Sequence, residues 1–598
     1  MDEQPQTHPL VLYDGTCGFC KIWIEYWKLL TKGRVDYASS RERGNEFPGI
    51  SRDSFARSVQ LVQPGGAILD GAKAVFTTLA YAGKRWPLWL YENVPLAAPA
   101  SEAAYRAVAS HRNAGYWLTA HTFGRTIRPS TFRLTSWLFL RLLGLVYLLA
   151  FLSLGSQVRG LLGAGGIEPA SRFLSAVTSA LGRESVFRVP TVFWVSHSDG
   201  MLTGVCYLGA ALGLAVLLGV SSRAALAVLY LLYLSLVSVG QDFLSFQWDA
   251  LLLEAGFLAI VLPGSRLVVW LFRWLTFRLF FLSGCVKLLS HDAAWRSLTA
   301  LDYHYFTQPL PTPVAWYLAQ LPAWFQAAST AFVFFAELFA PLLIFAPRRL
   351  RHFGAGVMVA LQVLILLSGN YAFFNLLTLA LCVFLFDDRA LGVLPALNRL
   401  AGPPRENGRW ERRAVAMVAV LVLTLGGAGL LDTFAGGAPA PLPSLQRAAA
   451  PFQIVNGYGL FAVMTTTRIE IIIQGSDDGI EWKDYQFPYK PGAPGAPPRW
   501  VAPFQPRLDW QMWFAALGNY RNNPWFISLL RELLDGAPAP LRLFRSNPFP
   551  SHPPKYVRAL AYEYRFTDWA TRRKTGNWWN RTLRGFYLPA VSLANFRS

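Results

Sequence analysis

Two cysteines near the start of the chain have the spacing of a redox-active pair. Cys17 and Cys20 form a CxxC motif in the segment DGTCGFC, which follows a short apolar run, VLY, and precedes a helix-compatible stretch. The dipole and the free N–H groups of a helix N-terminus stabilise a thiolate. The pattern therefore predicts that Cys17 is the nucleophile of thiol-disulfide exchange and that Cys20 is the resolving thiol, with a thiol redox partner.

Two other interpretations of the motif stay open. It could be half of a zinc site, although no second CxxC or histidine pair lies nearby, or it could be a pair without catalytic function. The other cysteines, Cys206, Cys285 and Cys382, are isolated in apolar sequence, which is not a disulfide scaffold. We expect no metal and no cofactor, and the sequence leaves open whether the chain is an enzyme.

A second group of ionisable and amide side chains lies within or beside apolar stretches in the middle of the chain. Ionisable groups at membrane depth are costly and usually face the interior of a helix bundle in pairs. The group predicts either an outward-facing polar pocket or a polar network that fixes helix packing. Its members are Asp249, Glu254, Lys287, His291, Asp292, His304, Gln308 and Glu337.

The C-terminal segment KTGNWWNR combines polar and aromatic residues. It contains Lys574, Trp578, Trp579 and Arg581. Tryptophan is favoured in binding surfaces, although packing in a core or at a membrane interface is the other interpretation. We predict that this segment contacts a client protein or lipid headgroups.

The elements that must position these residues are mostly apolar helices. Of 598 residues, 53% are hydrophobic and 15% are charged, whereas soluble chains carry about 25% charged residues. Several stretches are shorter than the ~20 residues that a bilayer requires, and the first half of 267–289, with Arg273 and Arg278, could form an interfacial helix. The candidate spans are 136–154, 201–220, 223–239, 250–263, 267–289, 327–346, 354–368, 372–386 and 413–432.

These patterns predict a polytopic α-helical membrane protein of about nine spans with a soluble domain at each end. An α/β domain occupies 1–125, the membrane region occupies 130–435, and an α+β domain with a β module followed by helices occupies 450–598. Large outer loops are predicted at 155–200 and 290–326.

The orientation follows from two further patterns. The N-terminus shows no basic segment followed by an apolar one, so we expect no signal peptide and a cytosolic first domain. Arginines are also more frequent in the loops that this orientation places inside. Nine spans then place the C-terminal domain outside. The net charge of +20 lies largely in short loops between apolar stretches, so we do not expect nucleic-acid binding.

The first domain resembles the DCC family of thiol-disulfide oxidoreductase-like domains, through YDGTCGFC and LDGAKA over about residues 9–118. The resemblance implies a thioredoxin-like fold.

The rest of the chain resembles the lipase maturation factor family over roughly residues 136–592. The likeness rests on LTALDYHYFTQPLPTPVAWY, FQWDALLLEAGFLA, SGNYAFFNLLT, RLDWQMWFAALGNY, SNPFPSHPPKYVRA and YRFTDWATRRKTGNWW. It implies a multi-pass membrane protein that helps an exported protein, such as a lipase, to reach its active fold. Eukaryotic relatives act in the endoplasmic reticulum, and the fusion to a DCC-like domain indicates a bacterial inner-membrane protein.

Two alternative functions stay open. The first is a membrane thiol-disulfide oxidoreductase that uses Cys17 and Cys20, for which Cys206 and Cys285 are the only thiols able to extend a relay towards the outer side. The second rests on a distant similarity to the vitamin K-dependent carboxylase superfamily, in which SGCVKLL places Gly284 and Lys287 at matching positions. That similarity implies that Lys287 acts as a base.

Overall fold

The computed structural model describes residues 8–392 and 407–596. The chain divides into two compact units, Met1–Thr131 with Phe345–Phe353, and Phe132–Ile344 with Gly354–Ser598. We call the first the head unit and the second the main unit. The main unit contains both the apolar helices and the C-terminal sheet.

The head unit is built on a mixed four-stranded sheet in the order β2-β1-β3-β4. Strands β1 and β2 are parallel and are connected by α1, whereas β3 pairs antiparallel with both β1 and β4. Leu10 and Leu12 are buried on one face of β1, and Val11 is buried on the other. Burial on both faces explains the uninterrupted apolar run in the sequence, and the mixed sheet confirms the predicted α/β domain. The elements are β1 (Leu10–Tyr13), α1 (Gly18–Thr31), β2 (Asp36–Ser39), α2 (Ser40–Arg43), α3 (Arg52–Arg57), β3 (Gln60–Val62), β4 (Ile68–Asp70), α4 (Gly71–Tyr81), α5 (Trp86–Asn93), α6 (Ala97–Ser110) and α7 (Arg112–Thr122).

The apolar part of the main unit is helical, as predicted. The helices are α8 (Arg133–Gly155), α9 (Val158–Leu162), α10 (Ala170–Leu181), α11 (Ser185–Arg188), α12 (Asp199–Leu218), α13 (Arg223–Val239), α14 (Gln247–Ile260), α15 (Arg266–Leu289), α16 (Ala293–Arg296), α17 (Ala300–Thr307), α18 (Pro313–Leu318), α19 (Ala323–Phe334), α20 (Arg348–Ser368), α21 (Phe374–Cys382), α22 (Asp388–Leu391) and α23 (Arg409–Ala435). A π-helical turn, Phe335–Phe339, continues α19.

Six of these helices are long and apolar enough to cross a bilayer, among the residues that the structure describes. The other three predicted spans correspond to the shorter helices α13, α14 and α21. The six are Arg133–Gly155, Asp199–Leu218, Arg266–Leu289, Ala323–Phe345, Arg348–Ser368 and Arg409–Ala435.

The two ends of α8 have different surroundings. At its start, the backbone N–H of Arg133 donates to the Asp388 carboxylate at 2.8 Å. Near its end, the Ser153 hydroxyl accepts from the backbone N–H of Gln505 at 2.9 Å. We call the end of the helix bundle at Gln505 the module end, because it contacts the C-terminal part of the chain, and the end at Arg133 the far end.

The 17-residue helix α13 makes contacts at both of its ends. Arg223 at its start pairs with Glu411 at the start of α23. Ser238 near its end donates to the carbonyl of Pro190, in the long connection that follows the module end of α8. These contacts place the start of α13 beside the start of α23 and its end beside the connection between α8 and α12, although the helix is shorter than a typical span.

Helices α14 and α21 begin at the module end. Asp249 in the first turn of α14 pairs with Arg507. Asn370, just before α21, accepts from the backbone N–H of Val501 at 2.7 Å. The segment that follows α21 reaches Asp388 at the far end.

Helices α8 and α12 pack with their backbones close together. A Cβ atom added at Gly213 would lie 2.8 Å from the backbone nitrogen of Leu148, and one added at Gly144 would lie 2.6 Å from that of Leu217. Small residues at such crossings allow tight van der Waals packing between membrane helices.

The C-terminal part forms a second four-stranded sheet, in the order β6-β5-β7-β8, with every pair antiparallel. The Asp478-Gly479 turn joins β5 and β6, and Gly479 has φ 77°. The segments TRIEIIIQ and VRALAYEYRF, both predicted as strands, correspond to β5 and β7. They pair with each other although α25, α26 and α27 lie between them in sequence, so the β module is completed after the helices and does not simply precede them. The elements are α24 (Leu442–Ala449), β5 (Arg468–Ser476), β6 (Lys483–Asp484), α25 (Arg507–Ala515), α26 (Pro524–Leu534), α27 (Pro538–Leu541), β7 (Tyr556–Phe566), α28 (Trp569–Thr575) and β8 (Trp579–Val591).

Candidate functional site

The CxxC motif of the head unit lies where the sequence predicts it, between β1 and α1. Cys17 is the N-cap of α1, and its sulfur accepts a hydrogen bond from the backbone N–H of Cys20 at 3.3 Å. The contact places the Cys17 sulfur, and not the Cys20 sulfur, at the N-terminus of α1. Burial and the adjacent Cys17 sulfur raise the pKa of Cys20 to about 12, so Cys20 is a protonated thiol at neutral pH.

The carboxylate of Asp14 and the guanidinium group of Arg112 flank this motif. Arg112 pairs with Asp14 at 3.2 Å, and Asp14 also accepts from the hydroxyl and backbone N–H of Thr16. Burial alone would raise the pKa of Asp14, but the Thr16 hydrogen bonds and Arg112 together lower it. A cavity of about 520 Å³ beside Cys20 is lined largely by apolar and aromatic side chains, among them Phe19, Trp23, Phe76, Tyr105 and Val108.

The predicted membrane pocket is represented by three of its eight residues. Lys287, His304 and Glu337 line one cavity of about 450 Å³ in the main unit, which we call the membrane cavity. Its remaining walls come mostly from apolar side chains of α15, α19 and α20, including Leu279, Phe332, Leu361 and Ile365. A concave apolar site with a few convergent polar groups is the usual form of a ligand pocket.

Lys287 and Glu337 form a buried ion pair at this cavity. The Lys287 Nζ–Glu337 Oε2 distance is 2.7 Å, and the side chains are 4% and 10% exposed. Lys287 Nζ also donates to the carbonyls of Ser283 and Leu460, at 2.9 and 3.1 Å. All three protons of the ammonium group therefore have acceptors, an arrangement that favours a positioning role for Lys287 over that of a base.

His304 lies on α17 and faces the same cavity. Its Nε2 lies 3.4 Å from the Tyr371 hydroxyl, and its ring packs edge-on against Phe461. Burial, with a contribution from Lys287, lowers the pKa of His304 to about 4. The imidazole is therefore uncharged at neutral pH.

Asp249 and Glu254 lie outside the membrane cavity and hold the C-terminal part of the chain. Asp249 accepts two hydrogen bonds from Arg507, at 2.8 and 2.9 Å, and one from Tyr233. Its side chain is 0% exposed, and that of Arg507 is 1% exposed. A buried carboxylate requires such a paired and hydrogen-bonded environment.

Glu254 has a similar environment one turn further along α14. It pairs with Arg278 and accepts from the Tyr458 hydroxyl at 2.8 Å and from the backbone N–H of Asn456 at 2.9 Å. Arg278 is 2% exposed. The prediction that the first half of α15 could be interfacial is wrong, because Arg273, also 2% exposed, donates to the carbonyl of Phe384 inside the unit.

The other three predicted pocket residues have local roles outside the membrane cavity. His291 contacts Arg296 in an exposed loop. Asp292 caps α16 by accepting from the backbone N–H of Trp295 at 3.0 Å. Gln308 is buried and donates to the carbonyl of Ser368 at 2.9 Å.

The predicted contact segment is divided between surface and core. Trp579 is 1% exposed and stacks with Arg468, so it contributes to the core of the sheet. Trp578 is half-buried, and the Arg572 guanidinium lies 3.5 Å from its ring centroid. Lys574 and Arg581 are exposed. A partner contact stays a prediction for these residues.

Sequence analysis did not identify three buried arginines as partners of other buried polar groups. Arg468 donates to the carbonyls of Phe306 and Pro309, at 2.9 and 2.8 Å, and Arg278 and Arg507 neutralise the two buried acids. The acids were visible in the sequence as charges at membrane depth. A search for compensating cations, in the apolar helices for Glu254 and in the C-terminal part for Asp249, would have been the available signal, because a buried charge requires a partner.

The structure thus defines a helical membrane protein whose C-terminal part is joined to the helix bundle by the buried Asp249–Arg507 ion pair, with a thiol-bearing α/β domain as a second unit. The lipase maturation factor transmembrane domain matches residues 134–393, and the lipase maturation factor C-terminal domain matches residues 454–589. The DCC1-like thiol-disulfide oxidoreductase domain matches residues 11–117.

Full-length relatives give the same result. Lipase maturation factor 2 of Gallus gallus is 36% identical over 581 residues, covering 77% of this chain and 81% of the relative. Lipase maturation factor 1 of Bos taurus is 35% identical over 517 residues, covering 79% and 91%. The chain belongs to the lipase maturation factor family, and both predicted resemblances are confirmed. No solved structure matches.

Proposed function

We propose that this membrane protein assists the maturation of an exported client protein, with a lipase as the client that the relatives' names suggest. It acts by binding rather than by making bonds. The observation that carries the proposal is that the transmembrane and C-terminal domains of the family both match this chain and form one unit here, in which the buried Asp249–Arg507 pair links them. A rigid binding surface suits recognition of an incompletely folded client, because this protein then loses little conformational entropy of its own on binding.

Site-specific photo-crosslinking in intact cells tests this proposal. A photoreactive amino acid is placed at Lys574, in the predicted contact segment, and at Ile480, which is 82% exposed in the β5–β6 turn and serves as a matched control position. We expect Lys574 to capture exported proteins, including a lipase, much more than Ile480 does. Capture of no exported protein from Lys574, Trp578 or Arg581 would contradict the proposal.

We also propose that the chain crosses the bilayer nine times, with the head unit in the cytosol of a bacterium and the C-terminal domain outside. The end contacts of α13, α14 and α21 support the three short crossings, because each helix begins or ends beside residues of the module end. Membrane thinning or flanking polar residues can accommodate short spans. An odd number of crossings separates the two chain termini.

Reporter fusions test this topology. Alkaline phosphatase, which is active only outside the cytosol, is expected to be active when fused after Ser598 and inactive when fused after Thr122, where the chain has not yet crossed. Green fluorescent protein fused at the same two positions should give the opposite pattern. An active phosphatase at both positions, or at neither, would refute the odd number of crossings.

A second function, thiol-disulfide exchange, is favoured by the geometry of the head unit. The βαβ unit followed by a β-hairpin and α4 is the arrangement that the DCC resemblance implies for a thioredoxin-like fold. In the proposed reaction, the Cys17 thiolate attacks a partner disulfide and releases one partner thiolate. The Cys20 sulfur, on losing its proton to the released thiolate, then attacks Cys17, which yields the Cys17–Cys20 disulfide, one partner thiol and a second partner thiolate.

Trapping the mixed disulfide tests this second function. A Cys20→Ser variant should accumulate a covalent complex with its partner, because the resolving thiol is absent and the Cys17–partner bond persists. The complex should appear on non-reducing gels and disappear with dithiothreitol. The Cys17→Ser variant is the matched control and should trap nothing. Equal trapping by the two variants, or none by either, would refute the assigned roles.

A further inference from the structure

Several polar atoms at the membrane cavity have no partner. Within residues 8–392 and 407–596, no hydrogen bond is made by the second carboxylate oxygen of Glu337, by Nδ1 of His304 or by Nε2 of Gln362. Glu337 and Gln362 are 8% and 5% exposed. All three residues line the cavity, and an apolar cavity with a few convergent polar groups is the usual form of a ligand site.

The charges of the groups around these atoms restrict the class of ligand that can bind. The Lys287 ammonium is neutralised by Glu337 and has no proton left for a ligand. His304 is uncharged at neutral pH. An anionic head would face the Glu337 carboxylate without a free cation to offset the repulsion. The cavity therefore favours an uncharged head that donates one hydrogen bond, to Glu337, and accepts others, from Gln362 or His304.

The cavity is open towards the apolar flank of the helices. Ala328 on α19 and Leu364 on α20 both line it, and both are exposed. Leu364 is 50% exposed and is followed one turn later by Leu367, which is 44% exposed. The segments that contain them, Ala323–Phe345 and Arg348–Ser368, qualify as membrane spans. A ligand that passes between Ala328 and Leu364 comes from the bilayer.

The backbone around Glu337 departs from regular α-helical geometry. Glu337 lies in the π-helical turn Phe335–Phe339, and such turns occur frequently at functional sites. A Cβ atom added at Gly284 of α15 would lie 2.7 Å from the Leu338 side chain and 3.0 Å from the Glu337 Cβ. The glycine lets α15 approach the π turn closely, so that Lys287 can reach Glu337.

We propose that the membrane cavity binds an uncharged lipid with a hydroxyl- and carbonyl-bearing head, of the monoacylglycerol type, which enters from the bilayer between α19 and α20. The head lies at Glu337, His304 and Gln362, and the acyl chain lies against the apolar walls. The cavity volume of about 450 Å³ is within the range of small-molecule sites, roughly 300–1,000 Å³. The proposal is independent of client maturation, since it concerns a ligand within the helix bundle.

Photolabelling of the full-length protein in lipid nanodiscs tests this site. The probe is a monoacylglycerol with a diazirine in its acyl chain, and labelled peptides are mapped by mass spectrometry. We expect labels on the cavity-facing parts of α15, α19 and α20, and competition by unlabelled monoacylglycerol. The Leu364→Trp variant should be labelled about tenfold less, because the larger ring occupies the cavity and overpacks it.

The Leu367→Trp variant is the matched control, because Leu367 is similarly exposed on the same helix but does not line the cavity. Its labelling should equal that of the unchanged protein. The Ala328→Phe variant should block the opening from the opposite wall. It replaces Leu364→Trp as the cavity-blocking variant if Leu364→Trp does not fold. Equal labelling of the cavity-blocking and control variants would overturn the site. Stronger labelling by a diazirine fatty acid, whose head is a carboxylate, would overturn the uncharged ligand class.

Discussion

Replacing Arg507 with methionine is expected to destabilise the main unit by about 3–5 kcal/mol, because the Asp249 carboxylate is then buried without its counter-charge. Both side chains are at most 1% exposed, so water cannot replace the lost interaction. The apparent Tm in detergent should fall by about 3–5 °C, because a unit of this size has a large entropy of unfolding. The C-terminal part should also become more sensitive to limited proteolysis, because Arg507 attaches it to α14.

Two further variants separate the charge effect from a general loss of packing. The double variant Asp249→Asn with Arg507→Met removes both charges while the amide can still bond to the Tyr233 hydroxyl, so it should recover much of the lost stability. Arg531→Met, at a pair with Asp535 that is about half exposed, should change stability by less than about 0.5 kcal/mol. A single Arg507→Met variant as stable as the unchanged protein would show that the pair does not hold the two parts together.

The Gly213→Val variant is expected to disrupt the packing of α12 against α8. The added Cβ would lie 2.8 Å from the backbone nitrogen of Leu148, and backbone cannot rotate away as a side chain can. Overpacking costs typically 1–3 kcal/mol and more where neighbours cannot shift, so we expect about 3 kcal/mol. The measurement is the yield of monodisperse protein after detergent extraction together with its apparent Tm.

Gly204→Val, on the same helix, is the matched control for the Gly213 prediction. An added Cβ at Gly204 meets nothing within 4 Å, and both variants change the intrinsic helix preference in the same way. Gly204→Val should therefore behave like the unchanged protein. Similar losses in the two variants would mean that the loss of glycine, rather than the helix crossing, is responsible.

The apolar helices could be predicted from sequence because each is a local pattern. The predicted span 223–239 has the same bounds as α13, Arg223–Val239, and the predicted span 267–289 differs from α15 by one residue. Composition could not establish whether short helices such as α14 cross the bilayer, because crossing depends on the contacts at the two ends of a helix. Length and hydropathy alone select six helices in the described part of the chain.

Long-range pairing could not be predicted. Arg507 and Asp249 are 258 residues apart, and nothing local to either residue identifies the other. The strand β8 was missed for a related reason: most of its residues are exposed, so its sequence shows no alternation, and α28 separates it from its partner β7 in sequence. The eight predicted pocket residues combine two features of the structure, because an acid that pairs with the C-terminal part and an acid that faces a cavity have the same sequence signature.

The ion pair between Asp249 and Arg507 also sets an order of events during synthesis. Chains elongate at about 5–20 residues per second, so Arg507 is translated on the order of tens of seconds after Asp249. Throughout that interval the nascent chain carries an acid at its module end whose partner does not yet exist. A chain truncated before Arg507 would keep the Asp249 carboxylate without its counter-charge, so an incomplete chain differs chemically from a finished one at this position.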